Sequence, residues 1–248
     1  MHVGRVLSLA YSPDGRWLAS AGADQTIYLW NARQHRTVGL YATPAVQTDL
    51  GPPTALSFNP DGTRLALAIA HPDGTGEVDV LSVPSLVLVT RLTVTAGRQA
   101  QFSRDGWRLI YQDDSGQVWT FDTRTWTVRG LPLIGAPQPG DFTLAPDNRT
   151  LATTSADGTV QLWDLASDHA IGIRLGFGVA QPVSAAVLAG GTAVVTIADD
   201  GNGALWDLSP RSWETRACTI AGRPLTRAEW QDVLPGRTFA PACAHGSN

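Results

Sequence analysis

The sequence contains no lysine: all 18 of its basic residues are arginine. That excludes any mechanism built on a lysine amine, such as Schiff-base chemistry or the lysine of a phosphate-binding loop. Glutamate is nearly as scarce. Of 22 acidic residues, only Glu77, Glu214 and Glu229 are glutamate and the rest are aspartate. Helices draw heavily on Glu and Lys, whereas aspartate favours turns, where its carboxylate bonds nearby backbone. A helix bundle is therefore disfavoured. Long apolar runs are also missing, so no transmembrane helix is predicted. The opening residues Met1-His2-Val3-Gly4-Arg5 lack the apolar stretch of a signal peptide, and a cytoplasmic location is the expectation. The formal net charge of −4 carries no basic excess, which argues against a nucleic-acid partner. Two cysteines, Cys218 and Cys243, are too few for a disulfide framework.

What the sequence does contain points to strands joined by tight turns. Hydrophobic residues make up 43%, enough for a core, and 25 glycines and 16 prolines supply turns. One segment, Leu9-Ala10-Tyr11-Ser12-Pro13-Asp14-Gly15-Arg16-Trp17-Leu18-Ala19-Ser20, returns as Leu56-Ser57-Phe58-Asn59-Pro60-Asp61-Gly62-Thr63-Arg64-Leu65-Ala66-Leu67. It returns again around Phe102-Ser103-Arg104-Asp105-Gly106 and Leu144-Ala145-Pro146-Asp147-Asn148, with a worn copy at Leu188-Ala189-Gly190-Gly191. The aspartates at 14, 61, 105 and 147 are spaced by 47, 44 and 42 residues. Such a period is the mark of a repeat architecture.

A second element follows each turn. Its cleanest form is Ala156-Asp157-Gly158-Thr159-Val160-Gln161-Leu162-Trp163-Asp164, and the first copy reads Ala23-Asp24-Gln25-Thr26-Ile27-Tyr28-Leu29-Trp30-Asn31. Weaker copies run over 115–122 and 201–207, and the copy at 76–82 lacks both Trp and Asp. Alternation such as Val160 and Leu162 against Thr159 and Gln161 is the period-2 pattern of a strand. Each unit reads as four strands, the fourth near Arg36–Leu40, Leu86–Thr93, Thr125–Leu131, Ala170–Leu175 and Trp213–Ile220. The acidic pairs Asp113-Asp114 and Asp199-Asp200 read as solvated hairpin turns. A four-stranded unit of roughly 40–45 residues cannot cover both its faces, so neighbours must stack on it as blades around an axis.

The Ser-Pro-Asp-Gly turns and Leu-Trp-Asp strand ends resemble those of WD40 repeats, over residues 1 to about 220. The resemblance implies an all-β propeller of about five four-stranded blades, near 1–42, 43–95, 96–136, 137–178 and 179–220. It also implies a buried structural network of the His–Ser/Thr–Asp–Trp type: His2, Ser20, Asp24 and Trp30 in the first repeat, and Asp157 and Trp163, with Thr153 or Ser155, in the fourth. WD40 rings close by mixing strands from both termini in one blade, and no such clasp is evident. Either the ring is small and closed by packing, or the chain is part of a longer propeller or completes its ring with another chain; unpaired blade faces favour a partner or self-association.

Residues 221–248 read as a C-terminal cap. Thr226 and Glu229 form a T-x-x-E capping box that starts a short helix, with Trp230 and Val233 on one face and Pro235-Gly236 at its end. Cys218 and Cys243 bracket it as a candidate disulfide; the alternative is two reduced thiols. The extension resembles that of bacterial WD40 signalling proteins, in which a propeller is joined to a protein kinase or a STAND-type ATPase.

No H-E-x-x-H, G-x-S-x-G or Walker sequence occurs, and the five histidines are scattered, so no enzyme chemistry, cofactor or metal site is expected. The preferred reading is a non-catalytic scaffold for a protein or peptide partner. Trp17, Arg64, Trp107, Arg108 and Arg149, which flank the Asp-Gly turns, are its candidate contact residues. A small ligand at the central channel is the alternative, and a propeller enzyme the remotest one.

Overall fold

The computed structural model describes residues 2–42, 53–134, 139–176, 182–188, 192–198, 200–222 and 226–229. These residues form five antiparallel sheets in chain order, each a meander. The first holds β1 (Val6–Tyr11), β2 (Trp17–Gly22), β3 (Thr26–Asn31) and β4 (Arg36–Ala42). The second holds β5 (Pro53–Phe58), β6 (Arg64–Ala70), β7 (Thr75–Ser82) and β8 (Leu88–Thr95). The third holds β9 (Gly97–Phe102), β10 (Arg108–Asp113), β11 (Gln117–Asp122) and β12 (Thr127–Ile134), and the fourth β13 (Pro139–Leu144), β14 (Thr150–Ser155), β15 (Thr159–Asp164) and β16 (His169–Gly176). The fifth has three described strands, β17 (Pro182–Val187), β18 (Ala193–Ala198) and β19 (Gly203–Asp207). The repeat reading of the sequence thus matches the sheets.

One segment departs from that reading. Residues 213–220, expected as the fourth strand of the fifth unit, lie in helix α1 (Pro210–Ala221). The cause is local. Ser209 is the N-cap and accepts a hydrogen bond from the Ser212 N–H at 3.4 Å. Pro210, with its φ already helical, takes the first turn. Gly222 ends the helix in the left-handed region at φ 68° and donates to the Cys218 carbonyl. Beyond it, the Thr226 N–H donates to Glu229 Oε2 at 2.8 Å and the Glu229 N–H to Thr226 Oγ1 at 3.3 Å, the reciprocal pair of a capping box. Trp230, Val233 and Pro235-Gly236, expected on that helix, lie outside the described residues.

The aspartate excess has a physical address. At the turn between the first two strands, Asp14, Asp61, Asp105 and Asp147 each accept the N–H two residues on, from Arg16, Thr63, Trp107 and Arg149, at 2.8–3.0 Å. Asp24, Asp73, Asp113, Asp157 and Asp200 do the same at the next turn. Asp122, Asp164 and Asp207 do so after the third strand. Each turn needs a side-chain acceptor close to the backbone, which Asp provides and Glu overshoots.

The first strands lie side by side, β1 by β5, β5 by β9 and β13 by β17, so the sheets fan out from a shared line. Gln99 on β9 completes the series: its amide donates to the Phe142 carbonyl at 2.9 Å and accepts the Phe142 N–H at 3.0 Å, as a strand would. Four apolar clusters fill the spaces between consecutive sheets. In the first, Ala19, Ala21, Ile27 and Leu29 meet Leu65, Leu67, Ile69 and Leu81. In the second, Ala66, Ala68, Val78 and Val80 meet Leu109, Tyr111 and Phe121. Ile110 and Val118 then meet Leu151 and Trp163, and Ala152, Val160 and Leu162 meet Val194 and Trp206. Among the described residues no cluster joins the fifth sheet to the first.

Candidate functional site

Two kinds of feature stand out: polar networks inside the sheets, and an arginine- and tryptophan-bearing end. In the first sheet, Trp30 Nε1 donates to Ser20 Oγ at 2.9 Å, His2 Nε2 lies 2.9 Å from the same oxygen, and His2 Nδ1 lies 3.0 Å from Asp24 Oδ1. These are the four residues expected there. Burial acts to raise the Asp24 carboxyl, but hydrogen bonds from Thr26, His2 and the Val3 N–H outweigh it and hold the group well below the usual range. Gly22 has no room for a side chain, because a Cβ would meet His2 Nδ1 and the Asp24 carboxylate. In the fourth sheet Trp163 Nε1 donates to Thr153 Oγ1 at 3.0 Å. Asp157 instead caps its own turn through Thr159 and pairs with Arg174 at 3.7 Å. The fifth sheet repeats the contact, Trp206 Nε1 to Thr196 Oγ1 at 2.8 Å.

The third and second sheets solve the problem differently. Asp113 was expected in a solvated hairpin; it is buried. It accepts from Trp119 Nε1 at 3.0 Å, Thr95 Oγ1 at 3.1 Å and the N–H groups of Ser115 and Gln117. Burial raises its carboxyl, and these bonds more than reverse the effect. In the second sheet, Asp79 is 0% exposed. Arg91 grips it with two bonds of 2.6 and 2.7 Å, and the Tyr41 hydroxyl from the first sheet donates at 2.8 Å. Arg91 also lies 3.1 Å from Glu77. The bond to Asp79 pushes the Arg91 guanidinium up, and burial together with Asp79 pushes the Tyr41 phenol up. Sequence reading missed this clasp. Its one signal was that the unit lacking Trp and Asp places a charged pair, Asp79 and Arg91, in cross-strand register.

The end of the sheets that carries the Asp-Gly turns holds the five candidate contact residues, and the structure separates them. Trp17 is buried in the first cluster with the Arg16 guanidinium 4.7 Å over its ring. The Arg64 guanidinium stacks 5.6 Å from Trp126, joining the second sheet to the third. Arg108 Nη1 reaches the Asn148 carbonyl at 3.4 Å, and the Arg104 N–H donates to Asn148 Oδ1 at 2.6 Å, joining the third to the fourth. Arg149 makes an exposed two-bond pair with Asp164 at 2.8 and 3.1 Å. Trp107 is 51% exposed, with the Arg124 guanidinium 4.7 Å over its ring and Asp122 holding Arg124 at 2.9 Å. So Trp107 is an exposed aromatic side chain and Arg149 an exposed charged one, whereas Trp17 is buried between sheets and Arg64 and Arg108 contact the neighbouring sheet. Cys218 lies on α1 and is disulfide-bonded; Cys243 is outside the described residues. Among the described residues no group of three or more His, Cys, Asp or Glu side chains is arranged to hold a metal ion. No described helix is long and apolar enough to cross a membrane.

A profile of the family described as WD domain, G-beta repeat matches residues 1–31 and 141–164, the first and fourth units. Among curated proteins, the chain is similar to transducin beta-like protein 3 of Rattus norvegicus, 25% identical over 183 residues, covering 69% of this chain and 22% of that protein. It is similar to actin-interacting protein 1 of Drosophila melanogaster, 28% identical over 170 residues, covering 67% of the chain and 27% of the relative. WD repeat-containing protein 37 of Homo sapiens matches at 24% over 213 residues, covering 84% of the chain and 40% of the relative. The chain therefore spans well under half the length of each. Five antiparallel sheets in meander order, with Trp–Ser/Thr bonds inside the first, fourth and fifth, are consistent with WD40 blades, and the first and fourth units match the WD40 repeat model itself.

Proposed function

We propose that this chain is a non-catalytic scaffold that binds a protein or peptide partner in the cytoplasm, as one part of a larger assembly, with no nucleic acid, membrane or cofactor involved. The observation that carries the reading is Trp107. It is a large aromatic ring half in solvent, with Arg124 packed over it, on a turn that Asp105 and Ser103 hold rigidly. Tryptophan and arginine are the side chains that most often anchor protein interfaces, and a pre-formed site loses little entropy on binding. A place in bacterial signalling rests on the resemblance of the C-terminal extension. The division into a propeller and a C-terminal cap is kept, with α1 assigned to the cap; a bridge from Cys218 to Cys243 would fasten α1 to the segment beyond it.

The test is affinity capture with Trp107→Ala beside the unaltered chain. A partner captured by the chain should bind the variant at least about 30-fold more weakly, the loss of one hot-spot residue. Equal capture by both overturns the reading.

A further inference from the structure

Each sheet has two unlike faces, and the chain uses them in one fixed sense. The face that carries the tryptophan position, Leu65 with Leu81 in the second sheet or Leu151 with Trp163 in the fourth, packs on the preceding sheet. The opposite face, Ala66 with Val80 or Ala152 with Leu162, packs on the following sheet. This interface is made four times in the described chain. Among the described residues no sheet packs on the tryptophan face of the first sheet. Cross-strand register places Tyr11, Leu18 and Trp30 there in one row, with Leu9 and Leu40 in the next. Leu9 is 63% and Tyr11 64% exposed, although Phe58, the second-sheet counterpart of Tyr11, is buried. Among the described residues no sheet packs on the opposite face of the fifth sheet. Val195 pairs there with Leu205, and Ile197 with Gly203. Ile197 is 53% and Leu205 67% exposed, although the equivalent Ala68 and Val80 of the second sheet are buried.

The chain thus carries, unused, both halves of the one interface it makes repeatedly. The two halves belong to opposite ends of the fan and share no core cluster among the described residues. In separate copies each has its complement. We propose that the open face of the fifth sheet docks on the open face of the first sheet of a second copy, head to tail, continuing the blade interface between chains. This rests on the scaffold reading for its repeats but uses a different surface from Trp107. A head-to-tail contact leaves one half free on each outer copy, so association continues with concentration rather than stopping at a symmetric pair.

Sedimentation of the full chain, from about 1 µM to about 100 µM, tests it. The expected result is mass that rises with concentration. Tyr11→Asp and Leu205→Asp, each checked for an unchanged circular dichroism spectrum, should weaken self-association at least about 30-fold. Mixing the two variants should restore a dimer and nothing larger, because each retains the half the other has lost. Leu9→Ser and Ile197→Ser serve as milder replacements if either fails to fold. A wild-type chain that stays monomeric, with both faces left for another protein or another segment, overturns the proposal. So does a variant that still associates like the wild type, a symmetric dimer, or a mixture that stays monomeric. Trp107→Ala should associate normally, which separates failure here from failure of the partner-binding reading.

Discussion

The second sheet and the fifth are spelled by the same repeat yet meet different surroundings. In the second, β6 and β7 are buried on both faces, Leu65, Leu67 and Ile69 on one side and Ala66, Ala68, Val78 and Val80 on the other. In the fifth, Val194 is buried against the fourth sheet while Leu205 and Ile197 stand in solvent. An apolar pattern therefore states which face a blade could cover, and only its neighbours decide whether it is covered. The same contrast governs polar groups. The second sheet keeps an ion pair and a phenol inside, whereas the turn of the fifth, Asp200 with Asn202, is exposed.

The contrast can be broken by substitution, and the largest effect belongs to the buried clasp. Asp79→Ala leaves the Arg91 guanidinium and Tyr41 hydroxyl facing a void. Urea unfolding should show a loss of about 3–5 kcal/mol, against under about 0.5 kcal/mol for Asp200→Ala. Next comes packing. Leu67→Ala should cost about 2–5 kcal/mol, while Leu205→Ala should cost under about 1 kcal/mol for lack of a cavity to create. Gln99→Ala strands the Phe142 N–H and carbonyl between the third and fourth sheets and should cost about 1–3 kcal/mol.

The smallest effect is in the pH profile. The Asp24 and Asp113 carboxyls are held low in the folded chain, so the unfolded chain binds protons first. Their stabilisation is fully present above the ordinary carboxylate value near 3.8 and is lost as pH falls from there toward the lower folded values. Thermal melts should therefore change little between pH 7 and about 5 and fall steeply below about 4. Asp24→Asn should flatten that fall.

Much of the fold was legible because its signals are local. Ser-Pro-Asp-Gly turns and period-2 strands need only nearby residues, so the sheets and the first-sheet network of His2, Ser20, Asp24 and Trp30 could be read directly. Residues 213–220 misled because repeat spacing asked for a strand, whereas Ser209-Pro210 and Gly222 wrote the caps of a helix. The Asp79 clasp was harder to read for the opposite reason: the Asp79–Arg91 pair lies within one sheet, but Tyr41 reaches it only when two sheets stack. Trp17 and Arg64 looked like surface residues from their turns, yet their positions at the starts of β2 and β6 turn them into the gaps between blades.

One interface, repeated along the chain, stabilises the middle sheets, and among the described residues it leaves one face of the first sheet and one of the fifth uncovered. Native-state hydrogen exchange on dilute protein, read by mass spectrometry, tests it most directly, since local protection follows how well each segment is covered. Amides of β6, β7 and β10 should exchange last and those of β1 and β19 first, by about 100-fold or more, with β19 slowing as concentration rises. Equal protection of β19 and β6 in dilute solution would contradict it.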